Sequence, residues 1–138
     1  KASYPTLPSP SERAPLPRSE SQLRQAVEDH LYFWNTGSLA AWRRRFSEDA
    51  WIEDPAGSGR RPLGTARDLW DPAHARDYRV SLGCNRVIVC GMEALAHTIA
   101  FEESADGRAR ASANTELFTF RADGAIRSWR VFRDEPNS

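Results

Sequence analysis

Charge of one sign is the first thing this chain lacks, since its 138 residues carry 19 acidic and 19 basic side chains. With no net field to draw it to a phosphate backbone or an anionic bilayer surface, neither nucleic acid nor membrane is an expected partner. Lysine is almost missing, Lys1 standing against 18 arginines, a skew of coding composition rather than a physical demand. The two cysteines, Cys84 and Cys90, have no CxxC spacing, which argues against a disulfide scaffold or a zinc site; set in one apolar stretch, they are expected as reduced, buried thiols. His30, His74 and His97 show no ligand spacing, so no metal is expected. No apolar run approaches the length that crosses a bilayer, and the N-terminal segment has no apolar core of a secretory signal, which makes a cytoplasmic location the expectation. There is neither a GxGxxG turn after a strand nor a phosphate loop, and cofactor-independent chemistry follows as the simplest expectation.

What is present reads as one domain behind an arm. Prolines at 5, 8, 10, 15 and 17, mixed with serine, mark residues 1–18 as a flexible or extended arm. A single domain of residues 19–138 follows, because two domains of this length would each have too small a core. Ser19 and Gln22 have capping-box spacing, and Leu23, Val27, His30 and Trp34 then share one helical face. Asn35, Thr36 and Gly37 stop that helix. Ser38 caps a second one burying Leu39, Trp42 and Phe46, with Arg43, Arg44 and Arg45 as its solvated flank. A strand over Ala50–Asp54 puts Ile52 and Asp54 on one side, and Pro55 ends it. A loop from Gly57 to Gly64 leads to a third helix, capped by Thr65 and Asp68 and closed by Pro72.

Beyond Asp77 the period changes from 3.6 to 2. Four strands are predicted, Tyr78–Cys90, Leu95–Glu103, Arg110–Phe120 and Ala125–Arg133, joined at Gly91-Met92, Asp106-Gly107 and Asp123-Gly124. Helices first and an antiparallel meander last predict an α+β fold, a curved, mostly antiparallel sheet wrapped around three N-terminal helices with one apolar pocket. Alternation places Asn114, Glu116, Phe118 and Phe120 on a common face, which the two phenylalanines mark as the inner one. Glu116 is thus carried inward, as is Asp54 beside Ile52 and His30 on the stripe of Val27 and Trp34. A carboxylate left without partners there is costly, and clustered buried titratable groups are how sites shift their pKa values.

The run Asn35 to Ser58, NTGSLAAWRRRFSEDAWIEDPAGS, resembles the bacterial ketosteroid isomerases and their SnoaL-like polyketide cyclase relatives, which share a cone-shaped α+β fold. The segment Glu53 to Ser58 carries the resemblance most specifically, and the likeness extends over about Leu23 to Phe132. It implies that Asp54 is the base that shuttles a proton and that Glu116 stands where the family has a protonated carboxylic acid donating to the substrate oxyanion. Where the isomerases place a tyrosine, this chain has His30. The expected catalytic set is therefore Asp54, Glu116 and His30. Trp34, Phe118, Phe120 and Trp129 are expected as aromatic walls for a bulky substrate, and Tyr32, a two-residue helical step from His30, as a further contact.

The function these residues imply is a cyclase or isomerase tailoring a polyketide-like natural product. Two alternatives stand beside it: a Δ5-3-ketosteroid isomerase using His30, and a non-catalytic ligand-binding or oligomerisation module on the same fold. The resemblance also implies a homodimer, and a last strand with apolar groups on both faces, Ile126 and Phe132 opposite Trp129 and Val131, agrees with it.

Overall fold

A computed structural model of the chain describes residues 19–133; the N-terminal arm lies outside them. The Ser19 hydroxyl accepts from the Gln22 backbone N–H, while the Gln22 side chain accepts from the Ser19 N–H, and helix α1 (Glu20–Thr36) begins there. It buries Leu23, Val27, His30, Leu31 and Trp34. At its end the Gly37 N–H bonds Phe33 O at 2.8 Å, and a Cβ at Gly37 would lie only 2.8 Å from that oxygen. Ser38 then caps α2 (Leu39–Arg43), which buries Trp42.

The sheet holds β1 (Phe46–Glu53), β2 (Arg61–Pro62), β3 (Tyr78–Cys90), β4 (Glu93–Ser104), β5 (Ala109–Phe120) and β6 (Ile126–Arg133), with α3 (Arg67–Ala73) inserted before β3. Its order is β2-β1-β6-β5-β4-β3. All neighbours pair antiparallel except β1 and β6, which run parallel. This is the α+β arrangement expected, three helices against a mostly antiparallel six-stranded sheet.

One hydrophobic cluster joins the inner faces of α1, α2 and α3 to the sheet through Leu23, Val27, Trp34, Trp42, Trp70, Phe118 and Trp129. Each fully buried large apolar side chain contributes about 1.5–3 kcal/mol relative to leaving it in water. Polar ties fix where α1 docks. The Asn35 amide donates to Leu82 O at 2.7 Å and accepts from Leu82 N–H at 2.8 Å, in the manner of a strand neighbour. The Trp34 indole donates to Val80 O at 2.9 Å. His74 stacks on Trp70 at 3.6 Å and places Nε2 2.8 Å from Trp34 O, tying α3 to the end of α1.

Several local expectations are corrected. Phe46 is the first residue of β1 rather than part of α2. Only Arg44 of the arginine triplet is exposed, because Arg43 donates to the Gly64 and Ser47 carbonyls at 2.7 and 3.0 Å and Arg45 lies over the Phe33 ring. Ala66, at φ 63°, precedes α3 without a side-chain cap, and Pro72 sits inside that helix, whose end is Ala73. Cys84 and Cys90 are exposed on β3, an edge strand: Cys90 lies on the face opposite Val87 and Val89, while Cys84, in phase with Val80 and Leu82, stands at the register shift beside Arg86. Ile126 is fully buried, because the β5–β6 register shifts at Thr119/Phe120 and returns it to the inner face.

Candidate active site

A cavity of about 380 Å³ lies between α1, α3 and the inner face of β3–β6. Its apolar wall comes from Trp34, Leu69, Val80, Leu82, Trp129 and Val131, and its polar side from Asp54, Asn114, Glu116 and Arg133. Tyr78, Glu102 and Arg110 also line it. Among these the Tyr78 hydroxyl donates to Glu102, which holds the phenol above its usual pKa, and Arg110 stands 3.6 Å from the same carboxylate.

Asp54 is placed by the parallel β1–β6 pairing. Glu53 is in register with Arg130, and the Ala56 N–H then bonds Val131 O at 2.7 Å. The next inward residue of β6, Arg133, meets Asp54 in a bidentate pair, Nε to Oδ1 and Nη2 to Oδ2, each at 2.7 Å. Such two-pronged charge-assisted pairs fix orientation as well as adding energy. The Asp54 side chain is 13 % exposed.

Glu116 has a different environment. It is 3 % exposed, and its Oε1 accepts from the Trp129 indole N–H at 2.7 Å. Oε2 is buried with no hydrogen-bond partner. Burial pushes the Glu116 carboxyl above its ordinary value; the Thr98 hydroxyl and the Trp129 N–H pull against that rise, and the Asp54 charge adds to it. Thr98, diagonal to Glu116 across β4 and β5, is close enough to act on the charge but its own hydroxyl makes no hydrogen bond. Indole is a donor only. A protonated Glu116 therefore carries its hydrogen on Oε2, the oxygen that makes no hydrogen bond in the structure.

His30 belongs to the core rather than the cavity. It is fully buried, and its Nδ1 accepts from the Trp42 indole N–H at 2.9 Å, which leaves the ring hydrogen on Nε2. Phe46, Phe118 and Trp129 surround it edge-on at 5.6, 5.3 and 4.8 Å. Desolvation lowers its pKa to about 3, so the ring is neutral at any working pH. Phe118 and Phe120, 0 and 6 % exposed, are likewise core residues that do not line the cavity. Tyr32 is 61 % exposed on another side of α1. Of the residues expected at the site, the structure thus brings together Asp54, Glu116, Trp34 and Trp129, and sets His30, Phe118, Phe120 and Tyr32 apart from them.

Arg133 escaped the sequence reading. Its signal was nonetheless present, because Trp129, Val131 and Arg133 alternate along β6 and the first two were read as sharing one apolar face. Asn114 was placed on the inner face but given no role.

A family model described as a SnoaL-like domain matches residues 27–129. The chain belongs to that family. No curated protein sequence matches this SnoaL-like domain. Among solved structures it is similar to SalBIII, an epoxide hydrolase/cyclase-like enzyme with a role in pyran ring formation in the polyether salinomycin. That likeness has 22 % identity and a TM-score of 0.72, over 83 % of this chain and 92 % of SalBIII. It is also similar to an LEH-like epoxide hydrolase from M. tuberculosis, at 17 % identity and a TM-score of 0.69 over 83 and 84 % of the two chains. A third likeness, to a candidate polyketide cyclase of Xanthomonas campestris pv. campestris, has 18 % identity and a TM-score of 0.70 over 83 and 91 %. At these identities the likeness establishes the cone-shaped fold. Among the described residues no helix is long and apolar enough to cross a membrane, and no cluster of metal-ligating side chains occurs.

Proposed function

We propose that this SnoaL-like domain is a cofactor-independent acid/base enzyme that cyclises or isomerises a bulky, apolar, oxygen-bearing small molecule of polyketide-like character. The observation that carries the reading is two carboxyl groups on one cavity, Asp54 bound by a guanidinium and Glu116 buried and held by an indole N–H. A carboxylate offers about four lone-pair positions, and Arg133 takes two, so Asp54 can still accept a proton. In ring closure Asp54 takes the proton of the attacking hydroxyl while Glu116 gives the Oε2 hydrogen to the opening epoxide or carbonyl oxygen; solvent then returns the proton from one to the other. In isomerisation Asp54 moves a proton between carbons, and Glu116 only hydrogen-bonds the enolate oxygen. Each positioned group contributes about 10²–10⁴ in rate. The family and the epoxide hydrolase/cyclase-like neighbours support this class of chemistry. A steroid isomerase relying on His30 has less support, since that ring does not line the cavity and its acceptor nitrogen is already used.

The bidentate hold of Arg133 on Asp54 favours one second reading, a binding module in which the pair only shapes the pocket. Turnover separates the two. Incubation with hydroxy-epoxide and β-keto substrates of polyketide type, followed by mass spectrometry and chiral chromatography, should show a product that Asp54→Asn and Glu116→Gln each reduce about 100-fold or more. Ligand binding without conversion, or conversion unchanged in both variants, would remove the enzymatic reading. We also propose a homodimer, supported by the exposed apolar groups Ile88, Leu95, Phe101 and Phe132 on the outer face of the sheet.

A further inference from the structure

Three polar side chains meet on the inner face of β4 and β5 with hydrogen-bonding capacity that the protein leaves unused. Glu116 Oε2 and Thr98 Oγ1 are buried without partners. Asn114, two residues before Glu116 on the same face, is 8 % exposed, lines the cavity, and makes no side-chain hydrogen bond among the described residues. Thr98 does not line the cavity and pairs with Asn114 across β4 and β5. An unsatisfied polar group is costly in such a place and calls for a ligand or a reason.

We infer that Asn114 is a substrate-contacting residue, its Nδ2–H joining Glu116 Oε2–H on one substrate oxygen, so that the site selects a reacting ketone or epoxide oxygen able to accept two hydrogen bonds. The inference rests on the reading of Glu116 as proton donor. Strand geometry permits the convergence. Residues two apart along a strand stand about 6.5 Å from each other on one face, so a short amide and a longer carboxyl can both reach an atom lying between them. Neutrality at this position also matters. Asn114 pairs in register with Arg133, and a carboxylate there would compete with Asp54 for the guanidinium, whereas an amide leaves that pair intact. Two fixed donors aimed at one oxygen are the arrangement that stabilises negative charge as it develops.

Binding of 4-nitrophenol, whose single phenolic oxygen mimics an oxyanion, tests this without the natural substrate, with 4-nitrotoluene as the probe lacking that oxygen. Asn114→Leu should weaken 4-nitrophenol by about 10- to 100-fold and leave 4-nitrotoluene within about 2-fold. Asn114→Ser, which is smaller but cannot reach, should do the same and guards against misfolding of the leucine variant. If both variants leave the ratio of the two affinities unchanged while Glu116→Leu lowers it, Asn114 has no such role and the reading of Glu116 survives. If Glu116→Leu also leaves the ratio unchanged, the reading of Glu116 fails and this inference falls with it.

Discussion

Acid should weaken the fold through His30, by an amount large enough to measure. The ring is fully buried and its pKa falls from an ordinary 6.5 to about 3 through desolvation. Between those two values the unfolded chain binds a proton that the folded chain refuses, so stability rises with pH there. The contribution is therefore fully present above pH 6.5 and is lost as pH falls toward about 3. Each pH unit inside the gap is worth about 1.4 kcal/mol. By pH 4.5 about 3 kcal/mol has gone, against a total stability of about 5–15 kcal/mol for a domain of this kind.

Urea unfolding at several pH values between 7.5 and 4.5, followed by tryptophan fluorescence, is the measurement; with a slope of about 1–3 kcal/mol per molar urea the midpoint drops by about 1–3 M. Glu116 works in the opposite direction. Its pKa is raised in the folded state, so its proton is retained where the unfolded chain has lost it, and stability declines as pH rises above the ordinary glutamate value. Comparison with His30→Gln removes that contribution, since both proteins share it, and glutamine keeps an acceptor for the Trp42 indole N–H. His30 and Glu116 both touch Trp129, so the comparison is repeated in a Glu116→Gln background to exclude coupling. Equal losses of stability between pH 7.5 and 4.5 in wild type and His30→Gln would refute the neutral, proton-refusing histidine.

Three further outcomes are expected. Trp129→Phe removes a donor that holds the Glu116 carboxyl down, so the alkaline limb of the kcat profile, and the infrared signature of the protonated carboxyl, should persist to higher pH; a limb that stays in place would exclude Glu116 as its source. Arg133→Gln leaves Asp54 without its bidentate partner and should lower kcat about 10- to 100-fold through lost positioning, with little change in KM. Phe101→Glu places a charge in the outer apolar face and should convert a dimer to a monomer by light scattering; a wild-type monomer at micromolar concentration would end the dimer proposal.

Period and turn chemistry made most of this fold legible. The Ser19–Gln22 box, the stripe of Leu23, Val27, His30 and Trp34, and the four last strands all obey local rules, and the two Asp-Gly turns fall between paired strands. What escaped depended on partners distant in sequence. His30 sits on the stripe that points inward, and sequence alone does not say that a ring of Trp42, Phe46, Phe118 and Trp129 closes over it before it can reach the cavity. Ile126 follows an irregularity in pairing that alternation cannot foresee. The cysteines were misread because an apolar run does not distinguish a central strand from the edge strand that β3 turns out to be.

Arg133 is the residue on which the proposed chemistry turns. Two carboxyls sharing one low-dielectric cavity repel when both are ionised, and the pair divides its roles only if something breaks their equivalence. Here a guanidinium grips both oxygens of Asp54, while Glu116 receives one indole N–H and keeps an oxygen with no partner. The Asp54 charge then adds to the desolvation that favours a proton on Glu116. Placement of Arg133 follows from the parallel β1–β6 pairing, which carries Asp54 beside the end of β6. In the proposed mechanism a single strand direction thus assigns the base to Asp54 and the acid to Glu116, and reversing the pairing would take Arg133 away from Asp54.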